Sequence, residues 1–505
     1  MRVVMLVRND WKFDSRVTRE AEALVAHGFD VDVVCRRHAA GVIVERHNGV
    51  RYHCVPYPVG QQWRHELRAH VGVMALNARW LVQGPRRAIA AAAVAEELAA
   101  LVPVAIASVL LFVALVAWHG VIRPVVRRTP FDGIVRRSAF VARLKPTVSA
   151  ALRYALQPVQ HLNESVHSCM ATIVALRPDV IHAHDLVTLS TAALAASRIG
   201  ARLVYDAHEL ERHTNDQGLN RWTKQWIRRY ETDFAVRCAG VVTVSESIAD
   251  WLQREYRIAR PLVVGNAPSI PVATVPDRGA PDTVRKRLGL RPGLPLMVYV
   301  GSVTVDRGLE QCVRALQELA GVHFAVIGPC YEATKVAMLE AAVEVDAAQR
   351  LHFVDPVPPT DVMSFIADAD CSVMAIQNIC LSYYYCFPNK LLESVFAGLP
   401  VVVSDLFELR RFVADYAVGV VVDERDPHAI ANGVRSVLAD LPRYRPSAET
   451  LAVIDRAYGW NEQRRRLLQL YHRLRVGPST ETSASMTRCH IAPRMRGSRA
   501  RPWTF

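Results

Sequence analysis

The chain has only ten cysteines in 505 residues, scattered with no C-x-x-C pair and no zinc-ligand spacing. That excludes a disulfide framework or a zinc ribbon and leaves reduced thiols, as expected of a cytoplasmic protein. A cleavable export signal is also missing: residues 1–8 form too short an apolar run and read as a first strand. Acidic residues fall short of basic ones, 48 against 61, for a net charge of +13. The basic excess gathers around one apolar segment and at the C-terminal end. A membrane surface accounts for that placement, and nucleic acid is not expected as a partner. With 51% hydrophobic residues the chain is not a disordered one.

Formal charge is absent from residues 98–122, 25 positions in a row and long enough to cross a bilayer. A weaker apolar stretch, residues 88–95, precedes it. Arg86 and Arg87 lie before the pair, and Arg123, Arg127, Arg128, Arg136 and Arg137 after it. Basic flanks on both sides disfavour a single crossing, so a re-entrant or interfacial helical hairpin with both ends cytoplasmic is expected. A soluble alanine-rich pair of helices is the other reading.

What is present is most informative over residues 386–405. Pro388 and Asn389 open a short helix, with Asn389 as its expected N-cap, and Gly398 closes it before a valine-rich buried strand. Leu391, Leu392, Val395 and Phe396 make an inward stripe. Lys390 and Glu393 share another face at the end where backbone N–H groups lack partners. A phosphate suits that terminus and Lys390, and a carboxylate one turn in suits a ribose. The same spacing also fits a plain cap with a same-face ion pair.

Strand-like runs at residues 2–7, 31–35, 180–183, 203–205 and 241–244 alternate with helical ones, as do those at 296–300, 323–327, 371–375, 401–403 and 418–422. The alternation predicts an α/β chain with two parallel sheets in two Rossmann-like domains, ligands lying at the carboxyl ends of the strands. Prolines 268, 271, 276 and 281 place the boundary near 266 to 290. The expected division is 1–265 with an insertion at about 60–165 (apolar part 88–122), then 266–455, a terminal helix in 456–475 and a disordered basic tail, 476–505.

The 386–405 segment resembles the donor-site motif of glycosyltransferase family 4 and its relatives, retaining enzymes of the GT-B fold. Six further fragments occur in the family's order: the run from Asp14 to Leu24 with Gly28, then 179–185, 205–209, 241–246, 266–268, and 299–302 with Arg307-Gly308. The resemblance implies a cleft between the domains and a nucleotide-diphosphate sugar as donor substrate, with no cofactor. Donor diphosphate would meet Gly301, Ser302, Arg307, Asn389 and Lys390, with Arg307 beginning a helix; Glu393 would bind ribose. His184, at a strand end, would be the catalytic contact to the sugar, or else a structural histidine. Asp14, Arg16, Asp185, Asp206, His208, Glu209 and Tyr385 are assigned to the acceptor or the cleft. The terminal helix would pack back on the first domain.

Four departures qualify that picture. The family's arginine at position 302 is Ser302, and its lysine at 307 is Arg307. Its first glutamate of Glu-x7-Glu falls on Tyr385, so the sugar cannot be carried over. A glycine pair in the first loop is replaced by Arg8-Asn9-Asp10. Asp368-Ala-Asp370 has a D-x-D spacing but reads as a helix end and turn, so no metal is expected. The expected activity is retaining, metal-independent transfer to a lipid-linked or glycan acceptor at the cytoplasmic face of the cell membrane. A nucleotide-sugar epimerase and a catalytically silent membrane-bound homologue are the alternatives.

Overall fold

The computed structural model describes residues 1–37, 41–56, 167–214, 221–268 and 279–476. The expected apolar insertion and the basic tail beyond Val476 lie outside the described residues. Among the described residues no helix is long and apolar enough to cross a membrane.

Eight strands build the first sheet: β1 (Arg2–Leu6), β2 (Asp30–Arg37), β3 (Ile43–His47), β4 (Val50–Pro56), β5 (Val180–His184), β6 (Arg202–Ala207), β7 (Gly240–Thr243) and β8 (Leu262–Val263). Their order is β3-β4-β2-β1-β5-β6-β7-β8, all parallel except β3 against β4. The edge hairpin β3–β4 turns on Asn48 and Gly49, both at positive φ, as a two-residue hairpin loop requires. The second sheet is wholly parallel: β9 (Leu296–Val300), β10 (His323–Ile327), β11 (Leu351–Val354), β12 (Cys371–Met374), β13 (Val401–Ser404) and β14 (Gly419–Val422). Its order is β11-β10-β9-β12-β13-β14.

Both sheets are buried on both faces, which is why β1, β9 and β13 read as unbroken apolar runs rather than alternating ones. One face of the first sheet is covered by α2 (Leu186–Ile199), α3 (Arg221–Ala235) and α4 (Glu246–Tyr256). The other carries α1 (Ser15–Ala26), together with α8 (Trp460–Val476), which returns from the chain's end to bury Leu467, Leu470 and Tyr471 against Val3, Met5 and Val180. Around the second sheet, α5 (Leu309–Ala315) lies on one face and α7 (Asn389–Phe396) on the other. The order reverses between β1 and β5 in the first sheet and between β9 and β12 in the second. Loops leaving adjacent strands there run apart and leave a crevice at the carboxyl ends.

A short helix, α6 (Leu381–Tyr384), joins the halves. Leu381 and Tyr385 pack against the first domain's core, whereas Tyr383, Tyr384, Cys386 and Phe387 pack against the second's. Among the described residues, hydrogen bonds across the boundary include Leu210 N–H to Ser382 Oγ (3.2 Å), Ser245 Oγ to the Tyr385 carbonyl (2.9 Å) and Ser247 N–H to Glu408 Oε1 (2.9 Å).

Candidate active site

The second domain brings two cations to its switch point. After β9, Gly301 takes φ +126° and lets Lys390 lie across the loop: a Cβ on Gly301 would stand 3.2 Å from Lys390 Nζ. Lys390 donates to Tyr299 Oη (2.8 Å), and its ammonium sits 4.4 Å from the centre of the same ring. Tyr299 in turn donates to the Ser302 carbonyl (2.9 Å), tying the loop down. Arg307 lies 4.9 Å over the Tyr383 ring. Burial, with Arg307 close by, brings the Lys390 ammonium down to about 7. Two cations converge here, and among the described residues neither forms a salt bridge with a carboxylate, although Glu393 acts on Lys390 and Arg307 on Glu209; that is the electrostatics of an anion site.

Several local expectations need correction. Pro388 is the N-cap of α7 and Asn389 its first helical residue, because proline is at ease just outside a helix and its fixed φ aims the chain into the first turn. Arg307 does not begin a helix: α5 starts at Leu309, after Gly308 at φ +64°, where a Cβ would run into the Ala375 carbonyl oxygen. Lys390 and Arg307 are half-buried. Ser302 is exposed in the loop. Asp370 accepts from Leu296 N–H and from Arg285 (both 2.9 Å), so the D-x-D pair serves a turn.

Glu393 stands one turn along α7, its carboxyl raised by burial and held back by Arg19 and Lys390. Arg19 comes from α1 of the other domain, where burial and Arg16 lower its guanidinium to about 10. Sequence reading passed over Arg19, although Arg16, Arg19 and Glu20 share one helical face by their spacing. It also missed Tyr299 and Tyr383, which nothing local distinguishes from core aromatics.

The first domain's half is a layered polar network. Arg16 is buried and forks onto both oxygens of Asp206 (2.8 and 3.0 Å), with a third bond to the Val264 carbonyl (2.7 Å). Asp14 caps α1 by accepting from Val17 N–H (3.1 Å). Both are therefore engaged inside the first domain rather than open to an acceptor. Asp206 Oδ2 lies 3.2 Å from His184 Nδ1 and 3.1 Å from His208 Nε2. Burial opposes its charge, but Arg16 and then His208 hold its carboxyl well below the usual range. His208 also meets Asp185 (3.0 Å); despite burial, these two carboxylates raise its imidazole well above the usual value.

The two histidines differ in depth. His184 has no exposed surface, whereas the His208 side chain is 20% exposed at the cleft. His184 is the last residue of β5, whereas His208 follows the end of β6. Asp185 holds φ +64°, ψ 157°, a strained conformation for a residue with a Cβ, at the end of β5 where the first sheet's order reverses. Glu209 is exposed, and Arg307 acts on it from the other domain. Tyr385 turns to the first domain, its ring edge-on to Phe407 at 5.9 Å.

Comparison with known proteins agrees with this geometry. A family profile described as "Glycosyl transferases group 1" matches residues 294–440, and one described as "Glycosyltransferase Family 4" matches 119–266. The chain is 30% identical over 304 residues to the D-inositol 3-phosphate glycosyltransferase of Xylanimonas cellulosilytica, covering 58% of this chain and 71% of that one. Its fold resembles sucrose-phosphate synthase from Thermosynechococcus elongatus (TM-score 0.63, 16% identity, 94% and 99% of the two chains). Anabaena HepE is similarly related (TM-score 0.54, 12% identity, 94% and 99%). With both halves matched by glycosyltransferase profiles and the two sheets arranged as in these structures, the chain belongs to the family 4 type of glycosyltransferases and has a GT-B-like fold.

Proposed function

We propose that the chain transfers the sugar of a nucleotide-diphosphate donor, with retention of anomeric configuration and without a metal at the diphosphate, to a lipid-linked or glycan acceptor. The bond from the anomeric carbon to the diphosphate oxygen breaks and its electron pair leaves with the nucleotide. The acceptor oxygen bonds the same carbon, and its proton passes to the departing diphosphate. Arg307 and Lys390 take up the charge that develops there, in the role a cation plays elsewhere. Glu393 accepts from the ribose hydroxyls. His208, held as an imidazolium by Asp185 and Asp206, is the first domain's donor group to the sugar, with His184 behind it.

The observation that carries the donor half is the Arg307–Lys390 pair at the β9/β12 switch point, beside Glu393. Anabaena HepE, similar in fold, was determined with UDP and glucose, which makes UDP the first nucleotide to try. The acceptor half rests on the uncharged residues 98–122 and their arginine flanks, which suit a site at the cytoplasmic face of a membrane. Calorimetry with UDP, GDP and ADP, followed by NMR of the anomeric proton of product made on membrane lipid extract, tests both halves. Absence of nucleotide binding, or an inverted product, would overturn the corresponding part.

A further inference from the structure

Behind His208 the first domain encloses a cluster of buried side chains, two of which, Glu20 and His182, have no part in the proposed sugar transfer. Glu20 on α1, His182 and His184 on β5, and Asp206 on β6 have no exposed surface, and one ligand atom of each lies within 4.8 Å of the others. His182 and His184 are two apart on a strand, so their rings lie on one side, 4.3 Å between centres. Each ring has its Nδ1 engaged from behind: His182 with Tyr471 Oη (2.9 Å), His184 with Asp206 Oδ2 (3.2 Å). The Nε2 atoms of both, and both oxygens of Glu20, are buried with no hydrogen-bond partner. Arg16 Nε lies 3.2 Å from Glu20 but is aligned on Asp206.

We propose that this cluster holds one divalent transition-metal ion of the zinc type, bound by Nε2 of His182 and His184 and by the Glu20 carboxylate, with Asp206 beside them. Two imidazoles and a carboxylate, with no thiolate, are a donor set for zinc, cobalt or iron(II) rather than for magnesium or calcium. An oxygen acceptor or donor behind each ring is the arrangement that fixes a ligating histidine's tautomer and turns its other nitrogen to the metal. Charge points the same way. The Arg16 guanidinium is aligned on Asp206, and both oxygens of Glu20 lack a hydrogen-bond partner, so this buried carboxylate is left for a cation or a proton. The ion would tie α1 to β5 and β6 beneath the cleft, away from Arg307 and Lys390, and would take no part in binding diphosphate.

The test uses full-length protein without a histidine tag. Elemental analysis after gel filtration should find one zinc, cobalt or iron per chain, and chelation should lower the melting temperature, with recovery on adding zinc. Cobalt-loaded protein should show a d–d band with no thiolate charge transfer. Glu20→Ala should lose the metal, and Tyr471→Phe should weaken its affinity roughly 10-fold. Metal-free wild-type protein whose melting temperature ignores added zinc and cobalt would overturn the site in favour of a proton on Glu20. Full metal content in a folded Glu20→Ala variant would overturn it as well. If that variant fails to fold, the wild-type metal content and the cobalt spectrum decide.

Discussion

Lys390 reaches out of the first turn of α7 and gives its hydrogen bond to Tyr299 Oη at 2.8 Å, a phenol on the neighbouring strand rather than a carboxylate. A cation stored on a neutral partner is free to be claimed by an anion. Replacing Lys390 or Arg307 with alanine should therefore weaken nucleoside-diphosphate binding by about 1.5–3 kcal/mol each. The fold should survive, since neither side chain holds a buried ion pair. Unchanged affinity in both variants by calorimetry would show that the diphosphate lies elsewhere.

The same ammonium predicts a pH dependence. In the free protein it loses its proton near 7, and a bound diphosphate raises that value. Affinity should be greatest on the acid side and fall above neutrality, by up to tenfold per pH unit until the bound form also titrates. Binding at about pH 8 should take up a proton, seen as a heat that varies with the buffer's ionisation enthalpy. Lys390→Arg should flatten the slope, because a guanidinium stays charged.

Glu393→Gln separates ribose from phosphate recognition. Nucleoside-diphosphate affinity should drop by about 1.5–3 kcal/mol, while inorganic pyrophosphate binds as before. A large fall in melting temperature with intact nucleotide binding would instead make Glu393 the structural partner of Arg19.

Asp206 should matter for stability first. Its removal leaves Arg16 buried against the Val264 carbonyl and Glu20 only, so Asp206→Ala should cost about 3–5 kcal/mol in urea unfolding. His208→Asn removes a charge at the cleft rim and should lower turnover while leaving nucleotide affinity nearly unchanged, with a smaller loss of stability than Asp206→Ala because Asp206 keeps Arg16. The reverse pattern would move His208 into the structural set.

Deleting residues 86–128 tests the acceptor side. The protein should float with anionic liposomes only when that segment is present, and activity on a lipid acceptor should fall far more than on a short soluble analogue. Full-length protein that stays free of liposomes would remove the support for a membrane acceptor.

The valine-rich central strands of both sheets are legible because burial on two faces leaves no polar alternation to misread. The hairpin of β3 and β4 was not, since arginines, histidines and a glutamate interleave its apolar residues; Asn48-Gly49 was the available signal. Lys390 and Glu393 could be read because Pro388 and Gly398 bracket one short helix. Arg307's offset from α5 could not, since it depends on how closely Gly308 passes Ala375. Nor could the depths of His184 and His208, which lie at the ends of different strands, β5 and β6, and depend on how the residues beyond each strand pack.

The segment 381–385 behaves as a lever with the phosphate grip on one arm. Leu381, Ser382 and Tyr385 are fastened to the first domain, and Tyr383 between them lies under the Arg307 guanidinium. A rotation of the acceptor half cannot leave that stacking untouched. With Arg307 on the donor as proposed, the hold on the leaving group would then follow the angle between the halves.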